Sequence, residues 1–92
     1  MHGFTKKMSH LGQIILERRK FRGMSLQHVA DEAKLTKAHV WDLEVGRSRN
    51  PCMSTILGLA AALDISPLTL ASAAIADLPG VRITQKQETN HG

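Results

Sequence analysis

Ser25 and Thr36 are the residues that most narrow the choice of fold. Each is a strong helix N-cap, and each is followed by apolar residues at helical spacing: Val29, Ala30 and Ala33 after the first, Val40 and Leu43 after the second. So little chain separates the two caps that each opens a short helix, Leu26 to about Ala33 and Lys37 to Val45. Gly23 precedes the pair and Gly46 closes it, at places where helices commonly end in a left-handed residue. Two short helices joined by a three- to four-residue connection, Lys34 and Leu35 leading to Thr36, suggest a helix-turn-helix.

The rest of the chain reads as helix too. A first helix is expected from Ser9 to Arg22, with Leu11, Ile14 and Ile15 as its apolar stripe. After a polar loop from Arg47 to Asn50, Pro51 opens a fourth element in which Met53, Ile56, Leu57, Ala60 and Leu63 recur at core-helix spacing. Ser66 and Pro67 supply a cap and a preformed first turn for a fifth helix, expected to reach about Ala76 and to stop before Pro79 and Gly80. The organisation expected is an all-α, five-helix domain over 9–78, with a flexible arm at 1–8 and a mobile tail at 79–92. Val81 to Thr84 alternates as a short strand would.

At 92 residues and 42% hydrophobic content the chain buries one modest core. Its single cysteine, Cys52, excludes an intramolecular disulfide and fits a reducing cytoplasm. No metal site or cofactor is expected, because His2, His10, His28, His39 and His91 are scattered and none pairs with Cys52 at ligand spacing. Apolar runs are too short to span a bilayer, and Met1 to Ser9 lacks the apolar block of a signal peptide. No nucleophile and base pairing and no glycine-rich phosphate loop is visible, so an enzyme is not expected. Charge is uneven: residues 1–50 hold ten Lys or Arg against five acids, and residues 51–92 hold two against three. A basic first half attracts phosphate backbones, with a merely solvated basic surface as the alternative.

On a helical wheel Val40 and Leu43 define the buried stripe of the third helix, which puts Ala38, Trp41, Asp42 and Val45 opposite, with Lys37 and His39 on the flanks. That mixture suits base reading. Lysine donates to guanine, aspartate accepts from cytosine N4, and alanine touches a thymine methyl, so Lys37, Ala38, Trp41 and Asp42 are the candidate base contacts. For Lys37 and Asp42 an ordinary surface role is the alternative, and for Trp41 packing against the arm or a partner. Thr36 and His39 are candidate phosphate contacts. Glu44 falls at the edge of the buried stripe and calls for an arginine partner, for which Arg18 and Arg19 are both in reach.

The segment MSLQHVADEAKLTKAHVWDLEVGRSRNP followed by STILGLAAALDISPLTL resembles the lambda-repressor-like, Cro-family helix-turn-helix domain (the XRE class) over about residues 11 to 71. The marks are Arg19 ahead of Gly23, Ala30, then Leu43, Glu44 and Gly46, then Asn50 and Pro51, then Leu59, Ala60, Leu63, Ile65 and Leu70. The resemblance implies a dimer on operator DNA, the third helix in the major groove, Arg19 paired to Glu44, and Arg47, Arg49 and Asn50 against the phosphate backbone. Three positions depart from the pattern. Leu26 stands where the family often has a phosphate-binding glutamine, which leaves that contact to Gln27 or Ser25. Lys34 replaces the turn glycine, so lysine must turn left-handed at a cost of about 1 kcal/mol or the turn must differ. Cys52 replaces a serine cap.

Lys6 and Lys7 precede the first helix and can form a short arm toward the duplex, with a disordered start as the favoured alternative. The fifth helix carries Leu68, Leu70, Ala71, Ala74, Ile75 and Leu78, more apolar surface than so small a core covers, and these residues are expected at a homodimer interface setting two recognition helices about 34 Å apart. The function expected is a cytoplasmic, nucleoid-associated transcriptional regulator, a repressor on a palindromic operator and of phage or mobile-element type. The alternative is a DNA-binding antitoxin with a toxin partner.

Overall fold

Four helices open on a side-chain oxygen that accepts from an amide of the first turn. Ser9 does so for Gly12 at 2.9 Å, Ser25 for His28 at 2.9 Å, Thr36 for His39 at 3.0 Å and Ser66 for Leu68 at 3.2 Å. These bonds satisfy amides that a helix start would otherwise leave orphaned. The computed structural model describes residues 8–78, among which the fold is all-α. Its helices are α1 (His10–Phe21), α2 (Leu26–Ala33), α3 (Lys37–Glu44), α4 (Met53–Leu63) and α5 (Pro67–Asp77). Lys6, Lys7, Val81 to Thr84 and the remainder of both ends lie outside the described residues.

The chain wraps so that α1 lies against α3 and α5, α2 against α3 and α4, and α4 against α5. Leu11 and Ile15 of α1, Val29 of α2, Val40 and Leu43 of α3, Leu59 and Leu63 of α4 and Leu70 of α5 are all fully buried at the centre. Each contributes about 1.5–3 kcal/mol by leaving water. α1 and α3 meet backbone to backbone. A Cβ added to Gly12 would overlap the Glu44 carbonyl oxygen and come within 2.7 Å of that of Leu43. Glycine is what lets α1 approach the end of α3 so closely.

The fourth helix differs from the expected stripe. Met53 and Leu57 are 61% and 51% exposed, and Leu59 and Ala62 are buried with Ile56, Ala60 and Leu63. The buried face is rotated, because α4 is pressed between α2 and α5 and so needs a wider apolar face than one neighbour would require. In α5, Leu70 is 0% exposed and belongs to the core, which removes it from the expected dimer surface. Truncating such a residue typically costs about 2–5 kcal/mol, so it is committed to its own chain. Ala71 and Ala74 pack partly against the core, whereas Leu68 and Ile75 are 76% and 43% exposed.

Candidate nucleic-acid interface

α3 has a fixed back and a free front. Val40, Leu43 and Glu44 are buried, while Lys37, Ala38 and Trp41 are exposed and His39 and Asp42 are half-buried. Val45, grouped with the outward residues on the wheel, is the half-buried C-cap of α3 and borders a cavity with Leu16 and Trp41. The back is held by Arg19, whose Nε donates to Glu44 Oε2 at 2.6 Å and whose Nη2 donates to Oε1 at 3.1 Å. Its Nη1 donates to the Met24 carbonyl at 3.0 Å, so one guanidinium joins α1, the end of α3 and the entry to α2. Arg18, the other candidate partner, turns away. It donates to the Leu63 and Asp64 carbonyls at the end of α4, each at 2.9 Å.

The turn between α2 and α3 keeps its shape without glycine. Lys34 takes the left-handed conformation at φ 62 and ψ 44, and Leu35 N–H then reaches the Ala30 carbonyl at 2.9 Å. This is a turn under strain of about 1–2 kcal/mol.

Flanking α3 are the residues singled out for phosphate. Ser25, Gln27 and Thr36 are exposed at the starts of α2 and α3. As caps, Ser25 and Thr36 accept an amide proton through oxygen, and their hydroxyl protons remain able to donate to an anion. Gln27 Nε2 donates to Asp31 Oδ1 at 2.9 Å, which uses one of two amide protons. Beyond α3, the Arg47 and Ser48 amides close on the Asp42 carbonyl at 2.9 and 3.1 Å, and the exposed Arg47, Arg49 and Asn50 follow. Arg49 Nε donates to the Gly46 carbonyl at 2.9 Å, and Arg47 Nε stands 3.7 Å from Asp42 Oδ1. Asp42 therefore already faces a cation.

Cys52 occupies the N-cap of α4 with no side-chain cap hydrogen bond, as a weak sulfur acceptor should. Its exposed thiol lies 3.2 Å from Ser54 Oγ and 3.4 Å from Thr55 Oγ1, and chiefly these hydroxyls lower its pKa to about 6. Asp77 has a role that nothing in its neighbourhood of the sequence announces. Its Oδ1 accepts from His10 N–H at 2.8 Å and its Oδ2 from Leu11 N–H at 3.0 Å, so it caps α1 from the far end of α5. Lys20 and Leu16 were likewise not singled out, yet they border the cavity beside Trp41. Among the described residues no group of three His, Cys, Asp or Glu is placed to hold a metal, and no helix is long and apolar enough to cross a membrane.

No family model and no curated protein matches the sequence. Solved structures do. The chain is similar to the restriction-modification controller protein C.AhdI from Aeromonas hydrophila, at 35% identity and a TM-score of 0.63, over 67% of this chain and 92% of that one. It is similar to the N-terminal DNA binding domain of SinR from Bacillus subtilis, at 33% identity and a TM-score of 0.64, over 67% of this chain and 91% of that one. SinR in complex with DNA, described there as the master regulator for biofilm formation, matches at 33% identity and a TM-score of 0.63, over 66% of this chain and 97% of that one. With these likenesses added to the two capped short helices and the locked back of α3, the chain belongs to the lambda-repressor-like helix-turn-helix family.

Proposed function

We propose that the chain is a sequence-specific DNA-binding regulator of transcription that lays α3 in the major groove of an operator. One observation carries the reading: Val40, Leu43 and Glu44 anchor α3 from behind while Lys37, Ala38 and Trp41 stand in solvent at its front. A helix held rigidly by one face and free on the other is what groove insertion needs. The similarity to a controller protein and to a regulator solved in complex with DNA supports the regulatory part.

In this reading Lys37, Ala38, Trp41 and Asp42 meet base edges, and Ser25, Gln27, Thr36, His39, Arg47, Arg49 and Asn50 meet phosphates. Asp42 reads a cytosine only by sharing or surrendering Arg47, which then turns to the backbone. The protein acts as a homodimer on a palindromic site, through the stripe Leu68, Ala71, Ile75 and Leu78 on the outer side of α5, with Ala74 beside it. It works as a repressor in the cytoplasm, at the nucleoid, and catalyses no reaction.

Site selection from a random duplex pool, repeated with Lys37→Ala and Asp42→Ala at one stated salt, tests the assignment. The expected result is a palindromic motif in which each variant relaxes a different base and loses about 1–3 kcal/mol. Absence of any enriched motif overturns it.

A further inference from the structure

The exposed front of α3 is poor in hydrogen-bonding groups. Lys37 offers one ammonium, His39 and Asp42 are half-buried, and the Asp42 carboxylate lies 3.7 Å from Arg47 Nε. The largest exposed side chain on this front, Trp41, is mostly apolar. Ala38 and Trp41 are one helical turn apart, both exposed, and Trp41 has 47% of its surface in solvent. It borders a cavity of about 430 Å³ shared with Met8, Leu16 and Val45, so the ring is not wedged into a close-packed slot. An aromatic surface of this size, on a helix whose neighbouring positions are polar, needs an apolar partner in the complex.

Resting on the reading of α3 as the groove helix, we infer that Trp41, with Ala38 beside it, selects thymine through its C5-methyl group. In the major groove that methyl is the distinctive apolar group of a base edge. Guanine presents two acceptors there, adenine an acceptor and an amino donor, and cytosine an amino donor, and an indole face pressed on those would leave them desolvated and unpaired. Burying one methyl amounts to about 0.8 kcal/mol, close to fourfold in Kd.

Deoxyuridine tests this, because it removes only the methyl. The duplex that the full chain selects from a random pool is made with each thymine replaced in turn, and Kd is read by fluorescence anisotropy at one stated salt. Wild type and Trp41→Phe are expected to bind about fourfold more weakly when one particular thymine is replaced. Trp41→Ala and Trp41→Gln are expected to show no difference there, and either variant suffices should the other fold poorly. Equal binding of both duplexes at every position by wild type, or a difference that survives in both ring-less variants, overturns the inference and leaves α3 as a DNA reader. A pool with no enriched duplex overturns both.

Discussion

Arg19 and Glu44 are joined by two parallel hydrogen bonds although the Arg19 side chain is only 14% exposed and the Glu44 side chain 3%. Charges so far from water are tolerated because each satisfies the other. Arg19→Met leaves a buried carboxylate without its partner and is expected to cost about 3–5 kcal/mol, read as the shift in urea midpoint. Replacing both residues by Met should restore much of that loss, because no charge is then stranded. A single substitution costing below about 1 kcal/mol would show that water reaches the pair.

Asp77 makes the fold sensitive to acid. Burial acts to raise its carboxyl, but the Leu11 and His10 amides, with the His10 ring 2.8 Å away, hold it below its ordinary 3.8. A carboxyl depressed in the folded state contributes stability that is fully present above the ordinary value and is lost as pH falls through the lowered one. Asp77→Asn should therefore lower the melting temperature at neutral pH by several degrees, with the gap to wild type closing as pH falls below the ordinary 3.8. Parallel melting curves across that range would remove Asp77 from the account.

Cys52 titrates near neutrality. Alkylation of the native thiol by iodoacetamide should rise with a midpoint at about 6, against the ordinary 9.0 expected once the protein is unfolded. Cys52→Ser gives α4 the oxygen cap it lacks and should raise the melting temperature by a few degrees. An unchanged melt would mean that Ser54 and Thr55 hold the new hydroxyl away from the amides.

Lys34 carries backbone strain that glycine would not. Lys34→Gly is expected to stabilise by about 0.5–1 kcal/mol, less than the full left-handed penalty because glycine gains freedom in the unfolded chain. Chemical denaturation reads the difference, and a loss of stability would show that the lysine stem contributes packing that outweighs the strain.

Ile75 and Leu68 lie on one stripe of α5, exposed by 43% and 76%. If that stripe joins two copies, sedimentation at micromolar concentration should give a dimer for wild type and a monomer for Ile75→Asp, with the same helical circular dichroism. A wild-type monomer would refute the interface.

What was legible in the chain was local chemistry. Ser25, Thr36 and Ser66 cap because a hydroxyl next to a first turn has one good use, whatever the rest of the fold does. Lys34 could be identified as a left-handed residue or a changed turn, and the short connection leaves it left-handed. What escaped were choices made between helices. Arg18 and Arg19 differ by about 100° on α1, and only the packing of α3 on one side and α4 on the other assigns their partners. Leu70 and Leu68 look alike in composition, yet one fills the centre and the other meets solvent. Gly12 carries a signal that can be read in retrospect, since an interior helical glycine usually marks a close backbone approach.

Asp77, the last residue of α5, holds the first amides of α1, the helix that carries Arg19. Trimming the chain from its C-terminal end past that residue would therefore loosen its N-terminal helix and, through Arg19, the helix proposed to read DNA. The stretch from Ser25 to Gly46 that bears the motif is thus backed by a closed clasp, in which the end of α5 and the start of α1 depend on each other.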